Sequence, residues 1–334
     1  MLRKPKLSSL MSNAIGMTLV IGTGLIVVVA IAMALFGPSR GSAAAAAVRV
    51  ESASPSASAA SSAKAGTNLA GADTSSAPAS SSASASASPS ATPDPSASLA
   101  SAVSSLVSAD DGHVSVAVED LSSGTTASYN VSDDYVTASI VKLDILETLL
   151  YDDQQKGTSP TSSQRSLIIR MIEQSDNDAA LDLYDEEGGS SAITAANKVF
   201  GLTGTTVDSD AFGDTTTTVN DQLVLLRQAF TGDSSLTSAN RGYIQSLMSK
   251  VESDQRWGVS AAADDSSSSA TDYMLKNGWL PRSATDLWEI NSIGEVEHDG
   301  HEYLVAVLSA DNETMDDGVD TVEKVAKAAV DGLD

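Results

Sequence analysis

A chain of 334 residues with a formal net charge of −25 and no cysteine rules out several functions at the start. The charge opposes non-specific binding of the folded part to nucleic acid or anionic lipid. Without cysteine there is no disulfide, thiolate metal site or cysteine nucleophile, and three histidines leave little from which to assemble a Ser-His-Asp triad.

In chain order, residues 1–12 carry Arg3, Lys4 and Lys6 and read as a cytoplasmic tail. Residues 13–36 contain no charged side chain, and a run of that length spans a bilayer with some tilt. The basic residues ahead of it orient the rest of the chain outward. The expectation is therefore a single-pass signal-anchor helix in the cell membrane, with an extracytoplasmic C-terminal part. The competing expectation is a cleaved signal peptide and a secreted protein, because Ala43 to Ala47 offers small residues for cleavage. Residues 37–97 are rich in Ser, Ala and Pro, a composition that cannot bury enough apolar surface to fold and reads as a disordered linker.

Folded structure is expected over 98–334. Leu99, Val103 and Leu106 keep helical spacing. Val114, Val116 and Val118 alternate as in a strand, Ser122-Ser123-Gly124 makes a turn, and Thr125 to Tyr129 returns. The apolar stretch Ile140 to Leu150 predicts a helix, and Leu167 to Ile172 another. Further helices are expected over Ala179 to Glu187, Ala192 to Phe200, from Thr218 (with Asp221 as a capping box) through Phe230, and over Leu236 to Val251. Strands follow at Tyr273 to Asn277, Leu287 to Ile293 and Tyr303 to Leu308, the last two joined by an Asp299-Gly300 turn. Val319, Val322, Val325 and Ala329 mark a closing amphipathic helix. This order predicts an α+β fold, an antiparallel sheet of about five strands flanked by helices.

Chemistry concentrates around Ser139 and Lys142. Three residues apart on a helix, they share a face. Lys142 is the only basic residue in the apolar stretch, and burial favours an uncharged amine. The helix start adds free backbone N–H groups that favour negative charge. A hydroxyl, a tunable amine and an anion-friendly helix end are the parts of an acyl-transfer nucleophile. The same four-residue spacing recurs at Ser61-Ser62-Ala63-Lys64, in the linker and without apolar context, so spacing alone is weak.

Two further segments narrow the reading. Ser175-Asp176-Asn177 and Lys276-Asn277-Gly278 follow Ser139-Ile140-Val141-Lys142 in the order of the S-x-x-K, S-D-N and K-T-G signatures. Residues 98–334 thus resemble the active-site serine hydrolases of the class A β-lactamase and penicillin-binding type. The resemblance implies a β-lactamase/transpeptidase-like fold in which Ser139 attacks an acyl carbonyl and Lys142 takes its proton. It also implies that Ser175 relays the proton and that Asn177 holds Lys142 and a substrate amide. Lys276 would supply charge for a substrate carboxylate, and the backbone N–H groups of Ser139 and Trp279 would form the oxyanion hole. Asn277, Gly278 and Trp279 are the expected substrate-binding residues, with Trp279 at the pocket mouth. Asp214-Thr215-Thr216-Thr217 resembles the end of the family's Ω-loop.

The chain departs from the pattern in three ways. Asn277 replaces the usual threonine or serine. Only 36 positions separate Ser139 from Ser175, so a reduced all-helical subdomain is expected. No glutamate occurs between Glu187 and Glu252, so the loop lacks the residue that activates a deacylating water. Asp208, Asp210 and Asp214 are the acids that could substitute, with Asp214 read rather as a loop clamp. Glu297, His298, His301 and Glu302 read as a solvated hairpin tip, and neither metal nor cofactor is expected. The reading is a monomeric serine hydrolase acting through an acyl-enzyme on cell-wall peptide or β-lactam-like substrates. Two alternatives stay open: a catalytically impaired envelope binding module, and a class A-like β-lactamase with altered deacylation.

Overall fold

The computed structural model describes residues 94–107, 113–264 and 272–333. The expected tail, the apolar segment 13–36 and nearly all of the linker lie outside the described residues. Among those described, no helix is long and apolar enough to cross a membrane.

Five strands form one antiparallel sheet in the order β2-β1-β7-β6-β5. They are β1 (His113–Asp120), β2 (Thr126–Tyr129), β5 (Tyr273–Arg282), β6 (Leu287–His298) and β7 (His301–Asn312). A separate pair, β3 (Tyr135–Val136) and β4 (Thr216–Thr217), ties the segment before Ser139 to the end of the polar loop. The helices are α1 (Pro95–Leu106), α2 (Val141–Lys156), α3 (Ser162–Glu173), α4 (Asn177–Glu187), α5 (Gly189–Phe200), α6 (Val219–Phe230), α7 (Ser238–Met248) and α8 (Met315–Asp331).

Side-chain alternation along the strands builds two cores. Val116, Val118, Val305 and Val307 point into a layer with α1 and α8. Ala117, Leu304, Ala306 and Leu308 point the other way, into the layer holding α2 to α7. With both faces covered, the central strands are buried almost continuously, which apolar residues on successive positions require.

Several boundaries differ from expectation, β6 and β7 running on to His298 and Asn312 among them, and three have a clear physical reason. Helix α1 starts at Pro95, three residues early, because Asp94 caps it by accepting from Ser96 N at 3.0 Å and proline suits the first helical position. Strand β5 runs past Asn277 to Arg282. Its Pro281 is tolerated because β5 is an edge strand of the sheet. Helix α7 is shorter than the periodicity implies, starting after a Thr237 cap that accepts from Asn240 N at 3.3 Å.

Helix α8 lies close on the sheet at Gly318, where an added Cβ would sit 2.4 Å from Ile290 Cγ1 and 2.9 Å from Asn312 Cγ. Gly318→Leu is therefore expected to destabilise the domain by about 1–3 kcal/mol through overpacking, outweighing its better helix propensity. A lowered urea midpoint measures this; an unchanged midpoint would show that α8 can shift freely.

Candidate active site

Ser139 lies in a tight 3-10 turn, Ala138–Ile140, that runs directly into α2. The turn is gripped from several sides. Thr137 N donates to Thr215 O at 2.8 Å. Asn291, on β6 and fully buried, donates from Nδ2 to the carbonyls of Val136 and Thr137 at 2.8 and 3.1 Å. Its Oδ1 accepts from Ser309 N at 3.2 Å. Ala138, just before the nucleophile candidate, is held at φ 47°, a conformation that persists only where the surroundings over-determine it. Strand β5 passes so close that a Cβ on Gly278 would lie 2.7 Å from Thr137 O and 2.8 Å from Ser139 N. Only glycine fits there.

Lys142 is 0% exposed, and its Nζ is within hydrogen-bond distance of four oxygens. These are Ser139 Oγ at 2.9 Å, Ser175 O at 2.5 Å, Ser175 Oγ at 3.1 Å and Asn177 Oδ1 at 2.7 Å. Burial lowers its pKa to about 8 against the opposing pull of Asp176. Ser175 carries φ 56° in the turn before α4, and Asp176 holds that turn. Asp176 caps α4 by accepting from Ala179 N at 3.0 Å and pairs with Arg170. Both interactions keep its carboxyl below the usual range.

Lys276 is also 0% exposed. It donates to Ser175 Oγ at 2.9 Å and to Asn277 O at 2.9 Å, so Ser175 Oγ bridges two lysine amines. Burial first, and the nearby Lys142 charge second, push the Lys276 pKa well below the ordinary lysine value.

The structure thus brings together Ser139, Lys142, Ser175, Asn177 and Lys276, with Gly278 packed against the turn. Asn277 departs from expectation. It is 1% exposed, and its Nδ2 donates to the carbonyls of Gln255 and Trp257 at 2.8 and 2.9 Å. Its side chain braces the 255–257 segment and does not line the cleft, because strand alternation sends it to the face opposite Lys276 and Gly278.

Ser139 opens into a cleft of about 300 Å³ walled by Asn177, Asp178, Leu181, Phe212, Trp279 and Leu280. The Trp279 ring meets Trp257 edge-on, with centroids 6.0 Å apart. On the loop side, Asp214 is clamped to Arg282 at 2.6 Å. Asp208 accepts the backbone N–H groups of Asp210 and Ala211 at 2.8 Å each, which lowers its carboxyl pKa. Both acids are occupied as loop braces.

The hairpin-tip histidines are engaged with acids: His301 Nδ1 lies 3.4 Å from Asp120, and His298 lies 3.5 Å from Asp264 and 3.4 Å from Asp331. Among the described residues, no group of three or more His, Cys, Asp or Glu side chains is placed to hold a metal ion.

Sequence reasoning passed over three features. Asn291 is one of several polar residues on β6, with Glu289, Ser292 and Glu295 beside it, so its role as a buried tether leaves little local trace. Arg170 reveals itself only through the fold. Asp144 and Glu147 are buried on α2 behind Lys142. Asn197 Nδ2 donates to Asp144 Oδ2 at 2.9 Å, while both Glu147 oxygens lack a partner among the described residues. Burial pushes the Asp144 carboxyl up to about 7 and the Glu147 carboxyl well above its usual value.

Residues 149–333 match the sequence profile of the group described as the beta-lactamase enzyme family. That span holds Ser175, Asn177 and Lys276 and begins just after Ser139 and Lys142. No curated protein matches the chain in sequence. Among solved structures, a class A β-lactamase from Bacteroides cellulosilyticus DSM 14838 superposes with a TM-score of 0.61 at 17% identity, covering 72% of this chain and 99% of that one. A β-lactamase from Chitinophaga pinensis DSM 2588 gives 0.61 at 16% identity, with 71% and 99% covered. A variant of the reconstructed last common ancestor of Gram-negative bacterial class A β-lactamases gives 0.58 at 21% identity, with 70% and 98% covered.

The buried acids lead to a pH-dependent stability. A carboxyl whose folded pKa is raised contributes fully below its unfolded value, about 3.9 for aspartate, and that contribution is lost as pH rises through the folded value. For Asp144 the loss therefore falls between about 4 and about 7. Asp144→Asn stays neutral and keeps an acceptor for Asn197. It is expected to raise the urea midpoint at pH 8 while changing it little at pH 4. An equal effect at both values would refute the ionisation account.

Proposed function

The chain belongs to the β-lactamase enzyme family, and on that premise we propose that it is an envelope serine hydrolase working through an acyl-enzyme on Ser139. Its substrates in this reading are acyl compounds of the cell-wall peptide or β-lactam type. The observation that carries the proposal is the Lys142 amine, fully buried and 2.9 Å from Ser139 Oγ.

A neutral amine has two protons and a lone pair, and the lone pair can accept from the Ser139 hydroxyl. The step then balances as follows. Ser139 Oγ bonds to the acyl carbon, its proton passes to Lys142 Nζ, and the C–N bond of the substrate breaks. Ser175 Oγ, between Lys142 and Lys276, returns a proton to the leaving nitrogen. Lys142 and Ser175 act here as acid–base groups, and Asn177 orients Lys142. The backbone N–H groups of Ser139 and Trp279 are assigned to the carbonyl oxygen as charge develops on it.

Deacylation is slow in this reading. Asp208 braces the backbone of the loop, and Asp214 ties the loop to Arg282 on β5. Residues 13–36, with the basic tail ahead of them, fit a membrane anchor that leaves a monomeric domain outside the cell on its linker. The occupied amide of Asn277 and the braced loop acids favour a second reading, a binding module that retains the cleft without turnover.

Incubation with a fluorescent penicillin and with an activated neutral thioester, followed by intact-mass analysis, tests the proposal. We expect an adduct that persists for minutes and is absent in Ser139→Ala. An adduct lost within seconds would instead establish an efficient deacylation route. No adduct from either reagent on folded protein would support the binding module.

A further inference from the structure

We propose that Asn291 is a positioning residue for acylation. Through the carbonyl of Thr137 it holds the backbone ahead of Ser139, so that the Ser139 N–H stays aimed at the substrate carbonyl oxygen. This deepens the acyl-enzyme reading and rests on it.

An amide side chain has two N–H donors and one carbonyl acceptor. Asn291 is fully buried in the sheet, and both of its donors are committed to the turn. They reach Val136 O at 2.8 Å and Thr137 O at 3.1 Å. Its Oδ1 accepts from Ser309 N at 3.2 Å, which ties the amide back to β7. The pairing of β6 with β7 is irregular between Trp288 and Ile290, directly ahead of Asn291, and irregularities of this kind re-aim side chains next to active sites. Across β5 and β6, Asn291 stands opposite Gly278, so the two face the same turn. Gly278 has no side chain, which lets the turn come down within reach of the Asn291 amide.

Thr137 O is held twice, because it also accepts from Ile140 N at 3.3 Å. The next residue, Ala138, stands at φ 47°. If the peptide before it is released, rotation about Ala138 relaxes that conformation and turns the peptide that carries the Ser139 N–H. Strand β5 blocks the motion from one side, where a Cβ on Gly278 would lie 2.8 Å from Ser139 N. Asn291 resists it by fixing the Thr137 carbonyl. A donor aimed at developing charge contributes mainly in the transition state. Loss of its aim therefore lowers the maximal acylation rate more than it weakens substrate binding.

Single-turnover acylation by an activated neutral thioester, followed by intact mass over a range of concentrations at pH 5 and pH 8, tests the proposal. In Asn291→Asp at pH 8 a carboxylate faces the carbonyls of Val136 and Thr137 and repels them. At pH 5 the protonated acid donates to one of them. We expect the maximal rate of Asn291→Asp to be about a hundredfold below that of the unaltered protein at pH 8 and about tenfold below it at pH 5, with the half-saturating concentration changed less than about threefold. Asn291→Leu keeps the volume but cannot donate at any pH, and its deficit should be similar at both values. A full acylation rate in Asn291→Leu, or an Asn291→Asp deficit that is the same at both pH values, would overturn the inference and leave the acyl-enzyme standing. So would an effect confined to the half-saturating concentration, or loss of the fold in both variants, which would make Asn291 a residue of general stability. Absence of Ser139-dependent acylation in the unaltered protein would remove the acyl-enzyme reading, and the inference with it.

Discussion

A lysine amine with no solvent exposure must be neutral or be surrounded by acceptors, because an isolated buried charge is too costly to keep. Lys142 meets the second condition, and its burial moves it toward the first. Four oxygens lie within reach of its Nζ, and burial brings its pKa down to about 8. The arrangement depends on three chain segments arriving together: the turn at Ser139, the turn at Ser175 and the strand carrying Lys276. If one of them shifts, the amine loses acceptors and the cost of burying it rises.

Much of the fold can be understood as the means of keeping those segments in place. Two non-glycine residues of the site, Ala138 and Ser175, hold positive φ angles, each costing on the order of 1–3 kcal/mol. The compensation comes from outside the site. Asn291 reaches from the sheet centre to two carbonyls ahead of Ser139. The β3–β4 pair fastens the same segment to the polar loop, and Asp176 with Arg170 sets the turn at Ser175. The two-sided core of the sheet makes these anchors stiff, since close-packed interiors yield little. Asp144 and Glu147, buried on the helix that carries Lys142, add a further electrostatic load that the packing has to bear.

The parts of this arrangement that were legible in sequence are those encoded locally. Ser139 and Lys142 are three apart on a helical stretch, and Ser175-Asp176-Asn177 is one contiguous motif. The valine alternation in β1 and the Asp299-Gly300 turn are equally local, and the structure places a strand and a hairpin there. The partnership between Lys276 and Ser175 spans 101 positions, and only the ordered set of short motifs pointed to it. Asn277 follows strand alternation, which directs its side chain away from Lys276 and into the 255–257 segment. Asn291 and Arg170 act through contacts between distant segments and leave almost no local trace. The extra length of β5 was hidden by Pro281, whose breaking effect disappears at an edge.

The most direct test of the account is the titration of the Lys142 amine itself. With lysine 15N-labelled at Nζ, and Lys142→Arg used to assign the signal, NMR should find a midpoint near 8 for this amine. A midpoint at the ordinary lysine value of about 10.4 would mean that burial leaves the amine unshifted, with its neutral form at neutral pH about two orders of magnitude scarcer than a midpoint near 8 allows. It would then contradict the role of Lys142 as the group that takes the Ser139 proton.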